Sequence, residues 1–146
     1  MQLSKHFTLA EATRSDTAVR LKLNNQPTTE REEQLLRCTA MHMEHVRRLL
    51  HDKPIIVTSW FRSRAVNSAV GGVKDSAHRL GYAVDFSCPG YGSITDICKA
   101  IDNSCLQFDQ MIWEKGSWVH LSFDPRMRRQ TLTTHDARTY QPGLPS

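Results

Sequence analysis

His78 lies in the stretch Ser76-Ala77-His78-Arg79-Leu80-Gly81, and seven residues later Asp85 interrupts an otherwise apolar run, Tyr82-Ala83-Val84-Asp85-Phe86. A carboxylate in such a run is headed for the interior. Burying it unpaired costs several kcal/mol, so Asp85 needs an arginine, a network of donors or a cation. With His78 alone, an ordinary core His–Asp pair would satisfy it. His120, between Val119 and Leu121, adds a third candidate. Two imidazoles and one carboxylate form the donor set of a catalytic zinc site, which keeps its fourth position for a water whose pKa falls to ~7. That chemistry also requires a general base. Glu114 stands six residues before His120, and a turn at Lys115-Gly116-Ser117 would bring its carboxylate back toward the open side of such a site.

The elements that must position these groups can be read along the chain. Pro54-Ile55-Ile56-Val57-Thr58-Ser59 is short and β-branched, as a strand should be, and Trp60-Phe61-Arg62-Ser63 follows it as a turn. A brief helix over Ala65 to Val70 ends at Gly71-Gly72. The run 82–87 is a second strand. Ser93-Ile94-Thr95-Asp96 caps a helix reaching about Ser104. The segments 108–114 and 118–123 form a hairpin around Gly116. Upstream, Thr29-Glu30-Arg31-Glu32 fits a capping box, and Leu35, Leu36, Met43, Val46, Leu49 and Leu50 recur at helical spacing until Asp52-Lys53-Pro54. His42 and His45 sit on this helix as a possible metal pair, but Glu44 falls on another face, so a solvated surface is the better reading. Residues 1–27 form an arm with one short helix near Leu9–Thr13, and residues 126–146 read as a basic, polar, loosely held tail. The expected fold is α+β: one domain over 1–146, with a mostly antiparallel sheet, helices packed on it, and the metal site at the sheet edge.

Composition narrows the function. With 146 residues and 39% hydrophobic content, one core is the default, and no apolar run approaches the ~18 residues of a membrane span. No apolar stretch follows the first residues, so no secretory signal is read and synthesis in the cytosol is expected. The net charge of +4 favours anionic partners. Apart from Arg126-Met127-Arg128-Arg129 the basic residues are scattered, which argues against a nucleic-acid groove. Cys38, Cys88, Cys98 and Cys105 match neither a metal-binding spacing nor a disulfide framework and are read as reduced; Cys98 and Cys105 would share a helix face if that helix continues.

Ser76-x-His78-x-x-Gly81-x-Ala83-x-Asp85, followed by Trp118-Val119-His120, resembles the zinc-ligand signature of the M15 peptidases. That group comprises D-alanyl-D-alanine carboxypeptidases and L-alanyl-D-glutamate endopeptidases, phage endolysins among them. Ser59-Trp60-Phe61-Arg62-Ser63 and Asn67 to Ser76 are similar to further family segments, so the likeness covers roughly residues 54–123, the expected catalytic core. The opening Leu3 to Glu11 resembles the start of small single-domain members. The resemblance implies a Hedgehog/DD-peptidase-like fold, one Zn2+ per chain held by His78, Asp85 and His120, and Arg62 as the electrophilic residue that holds substrate and its oxyanion. Ser76 would touch substrate or orient the ligand loop, with a turn-capping serine as the equal alternative. Gly81 would supply a tight turn where a side chain would crowd the metal or strain the backbone. Trp118 would wall the substrate cleft, although aromatic residues of a short hairpin, Trp113 included, more often pack in the core.

The chain departs from the family at one place. Many members carry the catalytic acid three residues before the last histidine, where this chain has Ser117, which cannot act as a base. The Glu114-x5-His120 spacing is instead similar to the signalling domain of Hedgehog, which supports Glu114 as base. The same likeness supports an alternative, a catalytically weak zinc-binding module that grips peptidoglycan or a protein. The function the resemblance implies is zinc-dependent hydrolysis of a peptidoglycan stem peptide, with the endopeptidase favoured over the carboxypeptidase. It implies a monomeric phage or prophage lysis enzyme that reaches the wall, in the periplasm, by holin-type release. No nucleic-acid partner is expected.

Overall fold

A computed structural model describes residues 1–146. Five helices and six strands follow one another as α1 (Leu9–Thr13), α2 (Asp16–Leu21), α3 (Glu30–Leu49), β1 (Ile56–Ser59), α4 (Arg64–Ala69), β2 (Ala83–Ser87), α5 (Ile94–Asp102), β3 (Gln110–Glu114), β4 (Trp118–Ser122), β5 (Gln130–Thr134) and β6 (Gln141–Pro142). The strands form one sheet in the order β1-β2-β4-β3-β5-β6, antiparallel throughout except for the parallel β3/β5 pair. The α+β expectation holds. No helix is long and apolar enough to cross a membrane.

Period-two alternation divides the sheet between core and site. Val84, Phe86, Met111, Val119 and Leu121 are buried on one face, in a single cluster with Leu36, Met43 and Val46 of α3 and Ile97 and Ile101 of α5. At ~1.5–3 kcal/mol for each large apolar side chain removed from water, this face anchors the sheet on the helices. The alternate residues, Asp85, Ile112, Glu114, Trp118 and His120, fall on the other face. Thr29 caps α3 by accepting from the Glu32 N–H, as the capping signal implies, but the Glu32 carboxylate accepts from Thr28 and Arg79 and the box is not closed.

Three further expectations are corrected. The arm carries a second helix, α2, which Ser15 caps by accepting from the Ala18 N–H. Helix α5 stops at Asp102, so Cys105 lies beyond it and is exposed, whereas Cys98 is buried and its thiol is pushed up to about 12 by burial and by Asp102. The segment after Pro125 is not loose. Arg128 grips Asp109 through Nε and Nη2 at 2.8 and 2.9 Å. Arg129 stacks 4.7 Å from the Phe108 ring centroid and donates to the carbonyls of Leu106, Ser104 and Ile101 just beyond and at the end of α5. These contacts deliver β5 to the open side of β3. Arg128 and Arg129 are thereby engaged in the fold, whereas Arg126 stays largely exposed beside Asp124.

Asp109 is 2% exposed, and the hydrogen bonds from Arg128 hold its carboxyl below the usual range, against the opposing effect of burial. Its linked stability is therefore complete above the ordinary carboxylate pKa of ~4 and is lost as the pH falls through the lower folded value. Arg128→Ala is expected to lower Tm near neutral pH, with the gap to wild type closing in thermal melts below about pH 4. A gap independent of pH would mean that Arg128 contributes through packing alone.

Candidate metal centre and its cleft

Register brings the separated residues together. Asp85 of β2 lies opposite His120 of β4, which lies opposite Ile112 of β3, which lies opposite Leu132 of β5. This row crosses four strands, and its first two members meet: His120 Nδ1 stands 2.9 Å from Asp85 Oδ1. His78 enters from the loop before β2, with Nε2 3.2 Å from the same oxygen. One ligand atom from each of the three residues lies within 4.8 Å of the others, and no other His, Cys, Asp or Glu group of three converges in this way. His42 instead stacks on Phe123. The site lies over β2 and β4, the second and third strands in the order, which corrects the expected position at the sheet edge.

The contact between His78 and Asp85 has a definite chemistry. His78 Nδ1 is 2.8 Å from the Trp60 carbonyl, which can only accept, so the proton sits on Nδ1. In the neutral ring Nε2 then presents a lone pair to the Asp85 oxygen. Two acceptors at 3.2 Å repel unless a proton or a metal ion lies between them. Asp85 is 8% exposed. Burial pushes its carboxyl up, but with that intervening proton in place the charge and hydrogen bonds of His78, together with those of His120, outweigh it and hold the carboxyl well below the usual range.

A second set of contacts fixes these donors. Trp60 is buried, and both its indole Nε1 and the Thr39 hydroxyl donate to the Gly81 carbonyl, at 3.3 and 2.7 Å, tying the ligand loop to α3. Gly81 has φ +80°, the left-handed region glycine favours, and an added Cβ would approach Leu36 Cδ2 at 3.2 Å. A side chain there meets the core, not the metal site, which corrects that part of the expectation. Ser76 Oγ accepts from the His78 N–H. The buried Asn25 donates to the Phe61 carbonyl and accepts from the Ser63 N–H, while the Phe61 N–H donates to the Ala12 carbonyl. The arm thus holds the turn carrying Arg62. Sequence reasoning passed over Trp60 as an anchor and Asn25 altogether; Trp60 lay in a segment with family likeness, whereas nothing local marks Asn25.

Arg62, Ser76, Trp118 and Glu114 all line one cleft with His78, Asp85 and His120, and its volume is about 710 Å³. Sites for small organic ligands span ~300–1,000 Å³. The Arg62 guanidinium makes no ion pair there, neither with Asp75 nor with Asp85, although the charges of Asp85 and Glu114 partly offset the burial that lowers its pKa. Glu114 ends β3 opposite Trp118 and is buried; burial first, then Asp85, raises its carboxyl above the usual value against the pull of His120, Lys115 and Arg62. Ser117 is exposed in the hairpin turn. Trp113 packs on the core face and donates to Thr95, while Trp118 is on the cleft face.

A model of the Peptidase M15 family matches residues 5–122. The chain belongs to the peptidase M15 family. Zinc D-Ala-D-Ala carboxypeptidase of Streptomyces albus G is 39% identical over 54 residues, which cover 37% of this chain and 21% of that protein. The matched segment therefore spans about a fifth of that relative's length.

Family membership brings zinc into question, and the donor set fits it. Bonds of ~2.0–2.1 Å at the tetrahedral angle leave about 3.3 Å between ligand atoms. The 3.2 and 2.9 Å separations around Asp85 Oδ1 are close to that spacing. The Trp60 carbonyl supplies the outer partner that fixes a ligating imidazole. The protein is expected to take up one zinc per chain by elemental analysis and to melt higher when loaded, by ~2.7 kcal/mol at a free zinc concentration a hundredfold above Kd. Asp85→Asn should lose both effects while keeping its far-ultraviolet circular dichroism. Undiminished zinc affinity in that variant would remove Asp85 from the donor set.

Proposed function

We propose that this M15 family chain is a zinc-dependent peptidase that hydrolyses an amide bond in the peptide stem of peptidoglycan. The observation that carries this reading is the convergence of His78, Asp85 and His120 in a cleft that also holds a buried carboxylate and an unpaired guanidinium. These three residues would hold the zinc, which when bound supplies Lewis acidity toward the carbonyl and activates water near neutral pH. Glu114 takes a proton from the attacking water as its oxygen bonds to the carbonyl carbon, then returns that proton to the amine as the C–N bond breaks. The raised Glu114 carboxyl suits both halves of that task. Arg62, free of internal ion pairs, holds a substrate carboxylate or the developing oxyanion.

Within this reading we favour the L-alanyl-D-glutamate endopeptidase over the D-alanyl-D-alanine carboxypeptidase. The donor row falls at the middle of β3 and β4, and the cleft continues along both directions of the strands, toward Glu114 and Trp118 and toward Gln110 and Ser122. Four residue steps from Gln110 to Glu114 cover about 14 Å at ~3.4 Å each. A groove open on both sides of the reacting centre suits a chain passing through. A carboxypeptidase needs room for one residue beyond the bond. Wall lysis for a phage or prophage is the setting we favour, since residues 3–11 resemble the start of small single-domain phage and bacterial members.

Mass spectrometry of peptidoglycan fragments after incubation with zinc-loaded protein, beside a chelated sample, tests both levels. New L-alanine carboxylates and D-glutamate amines are expected; released D-alanine would instead establish the carboxypeptidase. Glu114→Gln should abolish turnover and retain one zinc. Full turnover in that variant would dismiss Glu114 as base, and one bound zinc with no cut bond in wild type would favour the zinc-binding module suggested by the Glu114-x5-His120 spacing.

A further inference from the structure

The segment that follows β5 lines the Glu114 side of the cleft. Because β5 runs parallel to β3, Thr134 lies opposite Glu114. The chain then turns and returns as β6, with Gln141 opposite Thr133 and Pro142 opposite Leu132. Leu132 lines the cleft, so strand alternation places residue 140, like residue 142, on the cleft side. Tyr140 does line it, together with Glu114 and Trp118.

The turn is held in place from within. Asp136 Oδ1 accepts from the backbone N–H groups of Arg138 and Thr139, both at 2.8 Å, and the Ala137 N–H donates to Thr134 Oγ1 at 2.9 Å. On the far side of Tyr140, the Thr133 hydroxyl donates to the Gly143 carbonyl at 2.7 Å. Backbone fixed on both flanks of Tyr140 loses little freedom when a ligand arrives.

Two donors on this wall lack good partners. Tyr140 is 44% exposed, and its hydroxyl reaches only the Ala137 carbonyl at 3.5 Å, the outer limit of a hydrogen bond. The Trp118 indole Nε1 is buried with no acceptor at all. That atom is closed to solvent, whereas the Tyr140 hydroxyl is on an exposed side chain and is the donor of this wall that a ligand can reach. Partial burial first, then Glu114, Asp136 and Asp85, disfavour ionisation of the Tyr140 phenol, so it remains a donor. A neutral carbonyl oxygen suits an uncharged donor, and Arg62 is left for an anionic group.

We propose that Tyr140 is a substrate-binding residue whose hydroxyl donates to a main-chain carbonyl oxygen of the bound stem peptide on the Glu114 side of the reacting centre. The inference rests on the peptidase reading above for the nature of the ligand. Tyr140→Phe removes one oxygen and keeps the ring and its packing. Two measurements are made on zinc-loaded protein. Isothermal titration with a purified muropeptide compares Glu114→Gln with Glu114→Gln/Tyr140→Phe, and steady-state hydrolysis compares wild type with Tyr140→Phe. The loss of one neutral hydrogen bond should weaken muropeptide binding by about three- to tenfold and raise KM by a similar factor, with kcat, zinc content and Tm unchanged. Equal binding and equal KM would overturn the inference and leave the peptidase reading standing if wild type cuts. Weakened binding with no cut bond in wild type would keep Tyr140 as a binding residue and sink the hydrolase reading. No muropeptide binding by Glu114→Gln and no cut bond in wild type would overturn both.

Discussion

A buried carboxylate oxygen facing an imidazole lone pair is the constraint around which this molecule is arranged. The Trp60 carbonyl commits the His78 proton to Nδ1, and Nε2 is left 3.2 Å from Asp85 Oδ1. Such an arrangement is unfavourable by itself and becomes favourable when a proton or a metal ion lies between the two atoms. His120 joins on the next strand, and the donors are drawn from a loop and two strands that the sheet alone brings into contact.

Holding that arrangement requires rigidity at a distance. Thr39 on α3 and the Trp60 indole both meet the Gly81 carbonyl, so the helix that fills the core also sets the loop that carries His78. The N-terminal arm works similarly through Ala12 and Asn25 on the turn that carries Arg62. β1 contributes a register shift between Val57 and Ser59, just before that turn. A shift of this kind bends a strand and re-aims the residues beyond the bend. Core packing and site geometry are here one problem, because the two faces of β2, β3 and β4 serve one each.

The C-terminal segment shows how a polar, basic stretch acquires structure. Arg128 and Arg129 fasten it to Asp109 and to the carbonyls at and beyond the end of α5, and Gln130–Thr134 then completes the hydrogen bonding of β3. Nothing in Gln130-Thr131-Leu132-Thr133-Thr134 has the apolar alternation of a half-buried strand. Its partner is the edge of β3, left open by the hairpin, and an unpaired strand edge is satisfied by backbone groups regardless of side chains.

The chain's own sequence marks the candidate donors, because strand alternation and residue type are local properties. Asp85 and His120, each between apolar neighbours, and Glu114 at the end of a hairpin strand could be read from local pattern alone, and the long α3 announced itself by its period. The roles of Arg62 and Ser76 came from likeness to a family, since neither spacing nor burial singles out one arginine from the others. Tertiary structure decided the rest: that the site lies over inner strands, that Trp60 orients His78, that Asn25 braces the turn before α4, and that Tyr140 joins the cleft. The physical reason is the same in each case. These contacts link residues 12 to 42 positions apart or pair strands across the sheet, and a carbonyl, an amide or a phenol carries no local mark of the distant group it will meet.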